Sequence, residues 1–248
     1  MAGNQVVAIE ETSAQRVDTF VEDGVRPTLV NFDLSLDGVA SRGACGGVRC
    51  YEGMLTLTFD ETVDISTLTP SAIRIQDDQT ATSFYELTDG KFSVLRVDDS
   101  TVISLELAKE DLDALKFNGV EVSTNGLAIS KATTWIVIKE GAITDMNSNA
   151  VVAVIDTDAK QVTNFGEDNT APFLVLFDLD MNGADNTATL MLSFSEVVQA
   201  ASFDFKKIRI QNKATTATDK AYLITDGGTH SVGTTHQTVN TLEDTTSV

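Results

Sequence analysis

The sequence predicts an all-β protein made of tandem antiparallel β-sandwich units, each with one short helical turn. Three observations lead there. Apolar residues alternate with polar ones over short runs, the period-2 mark of half-buried strands. Clusters of Asp, Gly, Asn and Ser separate those runs. The whole pattern then recurs further along the same chain.

Residues 1–37 align without a gap to residues 146–182, with 17 identities in 37 positions at an offset of 145. Val6/Val151, Phe20/Phe165, Asp23/Asp168, Pro27/Pro172 and Phe32/Phe177 are among them. A second block follows at an offset of 135: LTLTFDETV (55–63) matches LMLSFSEVV (190–198), and IRIQ occurs at 73–76 and 208–211. The first copy therefore carries ten extra residues around 38–53. A repeat period of this length points to an array of structural units. The expected division is 1–26 as the tail of a preceding unit, 27–171 as one complete unit and 172–248 as the first half of the next. Met1 aligns with Met146 inside a repeat, which predicts an internal residue of a longer array rather than a translation start.

Along the complete unit, strands are expected at 28–34, 55–59, 73–76, 83–87, 91–96, 101–107, 133–139 and 150–155. Leu55, Leu57 and Phe59 alternate with Thr56 and Thr58, and Ile73 and Ile75 flank Arg74. These runs are rich in Val, Ile, Thr and Phe. One segment departs from period 2: LAKEDLDALKF (107–117) spaces Leu107, Leu112 and Leu115 for a helix face, with Glu110 and Asp111 early. About eight short strands divided by turn signals read as a β-sandwich. Trp135, the single tryptophan, is expected in the core.

Composition narrows the function. Of 248 residues, 17 are Lys or Arg and 37 are Asp or Glu, giving a net charge of −20. That charge repels nucleic-acid backbones and anionic membrane surfaces. A hydrophobic content of 42% supplies a packed core and argues against a disordered acidic tail. No apolar run approaches the roughly 20 residues needed to cross a bilayer.

Three motifs carry a family resemblance: the opening DNTAPFLVLFDLDM (168–181), the strand LSFSEVV (192–198) and the closing GAITDMNSNAVV (141–152). Together they resemble the bacterial immunoglobulin-like domains of S-layer proteins and large surface adhesins. Those domains open after a Thr-Ala-Pro-Pro-type linker, carry a Phe-Ser-Glu-Pro-Val-type strand and close on an Asp-x-x-Gly-Asn turn. This chain departs from the pattern with one Pro at the linker, Thr62 and Val197 in place of Pro, and Ser148 in place of Gly. The resemblance implies an extracellular or cell-surface location and a structural or adhesive role.

No catalytic constellation is evident. Asp60, Glu61 and Asp64 cluster near a strand end, but only Glu61 persists in the second copy, as Glu196. That persistence suits a structural role better than an acid–base pair. His230 and His236 are the only histidines, sit i, i+6 in a Thr-rich stretch and match no recognised ligand spacing. Ser and Cys nucleophiles have no histidine partner in the complete unit.

Calcium is the cofactor the residue types favour, since hard cations take several oxygens from inter-strand loops. The turn TDMNSN (144–149) and the junction at 166–169 would meet at one pole of an Ig-like unit. Asp145, Asn147, Asn149, Glu167 and Asp168 are therefore candidate ligands, and Asn4, Glu22 and Asp23 repeat the last three in type. Asp, Asn and Gly are also plain turn formers, so both readings stand. The acidic turn FDLDMNGADN (177–186) is a weaker candidate. Cys45 and Cys50, in GACGGVRC, are spaced to close a small disulfide loop suited to an oxidising compartment. There is no Asn-x-Ser/Thr sequon.

The expected function is that of a structural repeat segment. It would belong to a large extracellular filament, surface layer or appendage, act as a rod-like spacer and assemble through homo-oligomeric repeat contacts. Linkers of about five residues at 167–171 imply limited flexibility between units. Two alternatives come from other classes: an adhesin that binds carbohydrate or another cell, and an accessory module of a secreted enzyme.

Overall fold

The structure, a computed structural model, describes residues 6–37, 40–45, 48–51, 53–81, 83–88, 92–94, 99–120, 127–182, 187–198, 203–214, 221–224 and 242–243. Side chains are described for all of these except 40–45, 48–51, 92–94, 117–120, 187 and 242–243. Asn4, His230 and His236 lie outside the described residues, as does the whole Thr-rich stretch around the two histidines.

In chain order the elements begin with β1 (Leu29–Ser35), β2 (Ala40–Cys45), β3 (Val48–Tyr51), β4 (Met54–Asp64), β5 (Ile73–Gln76), β6 (Phe84–Glu86), β7 (Phe92–Val94) and β8 (Ser100–Leu107). The helix α1 (Lys109–Val120) follows, then β9 (Trp135–Ile138), β10 (Thr144–Asp145), β11 (Lys160–Gln161) and β12 (Asn164–Gly166). The second copy contributes β13 (Leu174–Asp180), β14 (Thr187–Phe194), β15 (Arg209–Gln211), β16 (Ala221–Leu223) and β17 (Leu242–Glu243). Among the described residues the protein is all-β apart from α1 and short 3₁₀ turns.

Within residues 29–166 two sheets share one core. The first has the order β12-β1-β4-β8-β7, with β10 added to the far end of β4; the second has the order β11-β9-β5-β6. All pairs are antiparallel except β1 with β12, which is parallel. Alternation decides which side chains turn inward: Phe32 and Leu34 from β1, Leu55 and Leu57 from β4, Ile103 and Leu105 from β8, Ile73 and Ile75 from β5, and Ile136 and Ile138 from β9 form one cluster. Each such side chain contributes about 1.5–3 kcal/mol through burial. Leu112 and Leu115 of α1 join the same cluster. The helix is 12 residues long, longer than the one or two turns expected. Glu110 and Asp111 suit its positive N-terminal end, and Asn118-Gly119 are poor helix formers where it stops.

Two expectations need correction. Residues 150–155 make isolated bridges, Thr144 to Ala150 and Ile138 to Val154, rather than a strand; the paired segments nearby are the short β11 and β12. Trp135 is half-buried at the start of β9 and not in the core cluster, and its indole N–H donates to Ala132 O at 3.0 Å.

The second copy reproduces the first in register. Leu29 pairs with Phe59, the register shifts once, and Asn31, Phe32 and Leu34 pair with Thr58, Leu57 and Leu55. Their counterparts do the same: Leu174 with Phe194, one shift, then Leu176, Phe177 and Leu179 with Ser193, Leu192 and Leu190. Thr28 N donates to Asp60 Oδ1 at 2.7 Å, and its counterpart Phe173 N donates to Ser195 Oγ at 3.0 Å. Packing separates the copies. Phe32 is 0% exposed and its counterpart Phe177 is 55% exposed. Cys45 and Cys50 fall on the two strands of the β2–β3 hairpin, where Cys45 faces Val48 and Cys50 faces Ser41; their side chains are not among those described.

Candidate functional site

The turn at 144–149 is built around Asp145. Its Oδ1 accepts from Asn147 N at 2.8 Å and Asn149 N at 2.7 Å, and its Oδ2 accepts from Asn149 Nδ2 at 2.7 Å. Burial alone would raise the Asp145 pKa, but these bonds, led by those from Asn149, outweigh it and hold the carboxyl below its ordinary value. Ser148 occupies the left-handed region at φ 69°, a conformation Gly adopts more readily than Ser.

The turn grips the segment that precedes β1. Asn147 Nδ2 and Asn149 Nδ2 donate to Asp23 O at 2.6 and 3.0 Å. Arg26 adds bonds to Ala150 O, Val151 O and Glu140. The 144–149 turn thus meets residues 23–26 rather than the 166–169 junction expected beside it, and the amides of Asn147 and Asn149 make the tie.

One carboxylate oxygen from each of Asp23, Glu61 and Asp145 lies within 4.8 Å of the others. Glu61 is partly buried, and its Oε1 is shielded from solvent with no hydrogen-bond partner among the described residues. Its pKa is raised, first by desolvation and then by the charges of Asp23, Asp145 and Asp60. Three carboxylates at this spacing could hold a divalent cation through hard oxygen ligands. Of the expected ligands, Asp145 and Asp23 belong to this group. Glu61 does not figure among them, although its recurrence as Glu196 was the available signal. Glu22 and Glu167 are exposed, and Asn169 Nδ2 donates to Glu167 O at 3.1 Å.

Asp168 was expected beside the 145–149 turn, but its carboxylate sits at a second cluster. Asp168 and Glu196 are the repeat counterparts of Asp23 and Glu61, and a cation already lies between them. Lys116 Nζ of α1 is 2.5 Å from Glu196 Oε2 and 3.0 Å from Asp168 Oδ2. The Lys116 side chain is 7% exposed and that of Glu196 10%. Desolvation pushes the Lys116 pKa down, yet the two carboxylates outweigh it and the net direction is up. Burial raises Glu196, and Lys116 offsets that only in part. Lys116 of α1 thus contacts the loop after β14 in the second copy. Sequence reasoning missed Lys116, which lies on the helix outside both repeated blocks.

Among the described residues, no helix is long and apolar enough to cross a membrane. No known family model matches this chain, and no curated protein and no solved structure is significantly similar to it.

Proposed function

We propose that this chain is a segment of a tandem array of Ig-like β-sandwich repeats that serves as a rod-like spacer in an extracellular filament, surface layer or appendage. The observation that carries this reading is the clasp of Lys116 on Asp168 and Glu196. A buried ammonium between two carboxylates across a short linker restrains one repeat against the next. The linker adds a further restraint: Thr170 Oγ1 donates to Asp37, a residue of the preceding unit. The identical strand register in both copies fits a scaffold used repeatedly, and stability in such arrays comes from units plus neighbour interfaces.

Electron microscopy of the native molecule tests the reading. An elongated particle with a regular axial repeat, or a polymer with one recurring subunit contact, supports it. A compact particle, or a single stalk ending in a distinct head, overturns it.

A further inference from the structure

Lys116 is a buried primary amine held against two carboxylates from different parts of the chain. Its Nζ lies 3.0 Å from Asp168 Oδ2, on the segment between β12 and β13, and 2.5 Å from Glu196 Oε2, on the loop after β14. Glu196 also interacts with Asp168, so its carboxyl touches both of the other groups. Water is largely kept out: the Asp168 side chain is 30% exposed, that of Glu196 10% and that of Lys116 7%. Glu196 Oε1 is shielded from solvent and has no hydrogen-bond partner among the described residues. The surface pair of Lys139 with Glu86 shows the ordinary case, with both side chains near half exposed and water free to compete.

An amine and a carboxyl group fixed in contact and away from water can condense to an amide, because orientation removes the entropic barrier the same groups face in solution. The barrier that remains is protonic. The amine attacks only when uncharged, and the two carboxylates hold the Lys116 pKa up against desolvation. A base must therefore take the ammonium proton inside the site and return protons to the departing oxygen. Glu196 is placed for both transfers. Burial raises its pKa, which makes it a better proton acceptor than an exposed glutamate.

We propose that Lys116 and Asp168 join in an intramolecular isopeptide bond, with Glu196 as the proton relay. Glu196 takes a proton from the Lys116 ammonium, and the neutral Nζ attacks Asp168 Cγ. Two protons in all pass through Glu196 to the departing Asp168 oxygen. The Nζ–Cγ bond forms, one Cγ–Oδ bond breaks, and the oxygen leaves as water. Glu196 ends ionised as it began, charge is conserved, and nothing is oxidised or reduced. Asp168, the most exposed of the three, gives the water an exit. The structure holds the ionic state before condensation, and the ion-pair energetics of these residues belong to that state. The chemistry does not depend on the array reading. Where repeats stand in tandem, the bond carries tension from α1 to the segment before β13, past residues 117–167.

Mass spectrometry of the full folded chain tests it. After incubation at neutral pH the intact mass is expected to fall by one water. Trypsin should then yield a branched peptide uniting the segments around Lys116 and Asp168, with fragmentation placing the bond on Asp168. Lys116→Arg keeps the charge and is expected to keep the full mass. Asp168→Asn is expected to lose ammonia in place of water, which marks residue 168 as the acyl partner. Glu196→Gln keeps the shape and is expected to slow condensation by about 100-fold. Circular dichroism checks that each variant folds, and the wild-type mass decides the bond without them. A wild-type chain that keeps its full mass, a bond to Glu196 in place of Asp168, or condensation at the wild-type rate in Glu196→Gln overturns the proposal. Microscopy judges the array reading separately. A regular rod of full-mass chains overturns the bond alone, and a compact particle that carries the bond overturns the array alone.

Discussion

Lys116 Nζ lies 2.5 Å from Glu196 Oε2, with the helix of one repeat and the loop of the next closing around the pair. Asp168 completes the group from the linker. Its energetic weight follows from burial. Removing one partner of a buried pair strands the other charge, which costs more than the pair itself contributes.

Lys116→Met is therefore expected to lower stability by about 3 kcal/mol, read from urea denaturation. Adding Glu196→Gln should recover a large part of that loss, because the stranded charge is gone. Additive losses in the double variant would show that the two side chains are energetically independent.

Glu61 predicts a pH effect of definite sign. Its folded-state pKa is raised above the ordinary 4.5 by desolvation and by Asp23, Asp145 and Asp60. The folded protein thus holds that proton longer than the unfolded chain, and stability falls as pH rises from about 4.5 through the raised value. Glu61→Gln removes this penalty. It should raise Tm near neutral pH by about 2–4 °C, the shift that accompanies ~1 kcal/mol in a domain of this size. The gain should shrink toward pH 4; a gain independent of pH would dissociate it from ionisation.

A divalent cation at Asp23, Glu61 and Asp145 would act on the same charge. Three carboxylates with few further oxygens suit a weak site, with Kd on the order of 10⁻⁴–10⁻³ M. Millimolar calcium is expected to raise the Tm of the wild-type chain, a chelator to reverse the rise, and Glu61→Gln to abolish it. Glu61 is the informative position because Asp145 also builds its own turn. A wild-type melting curve unmoved by calcium would end the metal reading.

The copies should also respond unequally to the same substitution. Phe32→Ala opens a cavity in a closed core and is expected to cost about 3–5 kcal/mol. Phe177→Ala trims a side chain that is already half exposed and should cost less than about 1 kcal/mol. Equal losses by denaturation would mean that Phe177 is covered in solution.

The sequence revealed the longer elements through their chemistry. β1, β4, β5 and β8 alternate over four or more residues, enough for period 2 to stand out, and the offset of 145 aligns β1 with β13 end to end. β11 and β12 span two and three residues and carry no readable period. Their pairing depends on Val162 and Phe165 reaching a core assembled from distant strands. At the site, the Asp145 turn was legible because Asp and Asn at that spacing satisfy backbone N–H groups locally. The approach of Glu61 was not, since the register of β4 with β10 brings it there. Lys116 was hidden for a different reason: its partners lie across a repeat boundary, so no local pattern marks it.

At the start of the β1–β4 pairing, an aspartate in one copy is replaced by a serine in the other, and both accept the same backbone N–H. The scaffold there demands a lone pair at a fixed point and is indifferent to charge. The large negative charge of the chain is thus partly separable from its architecture. It acts as a colloidal property, setting how strongly neighbouring molecules repel and how that repulsion fades with ionic strength. Salt then becomes a dial on the spacing between molecules that leaves the strand geometry within each sheet alone.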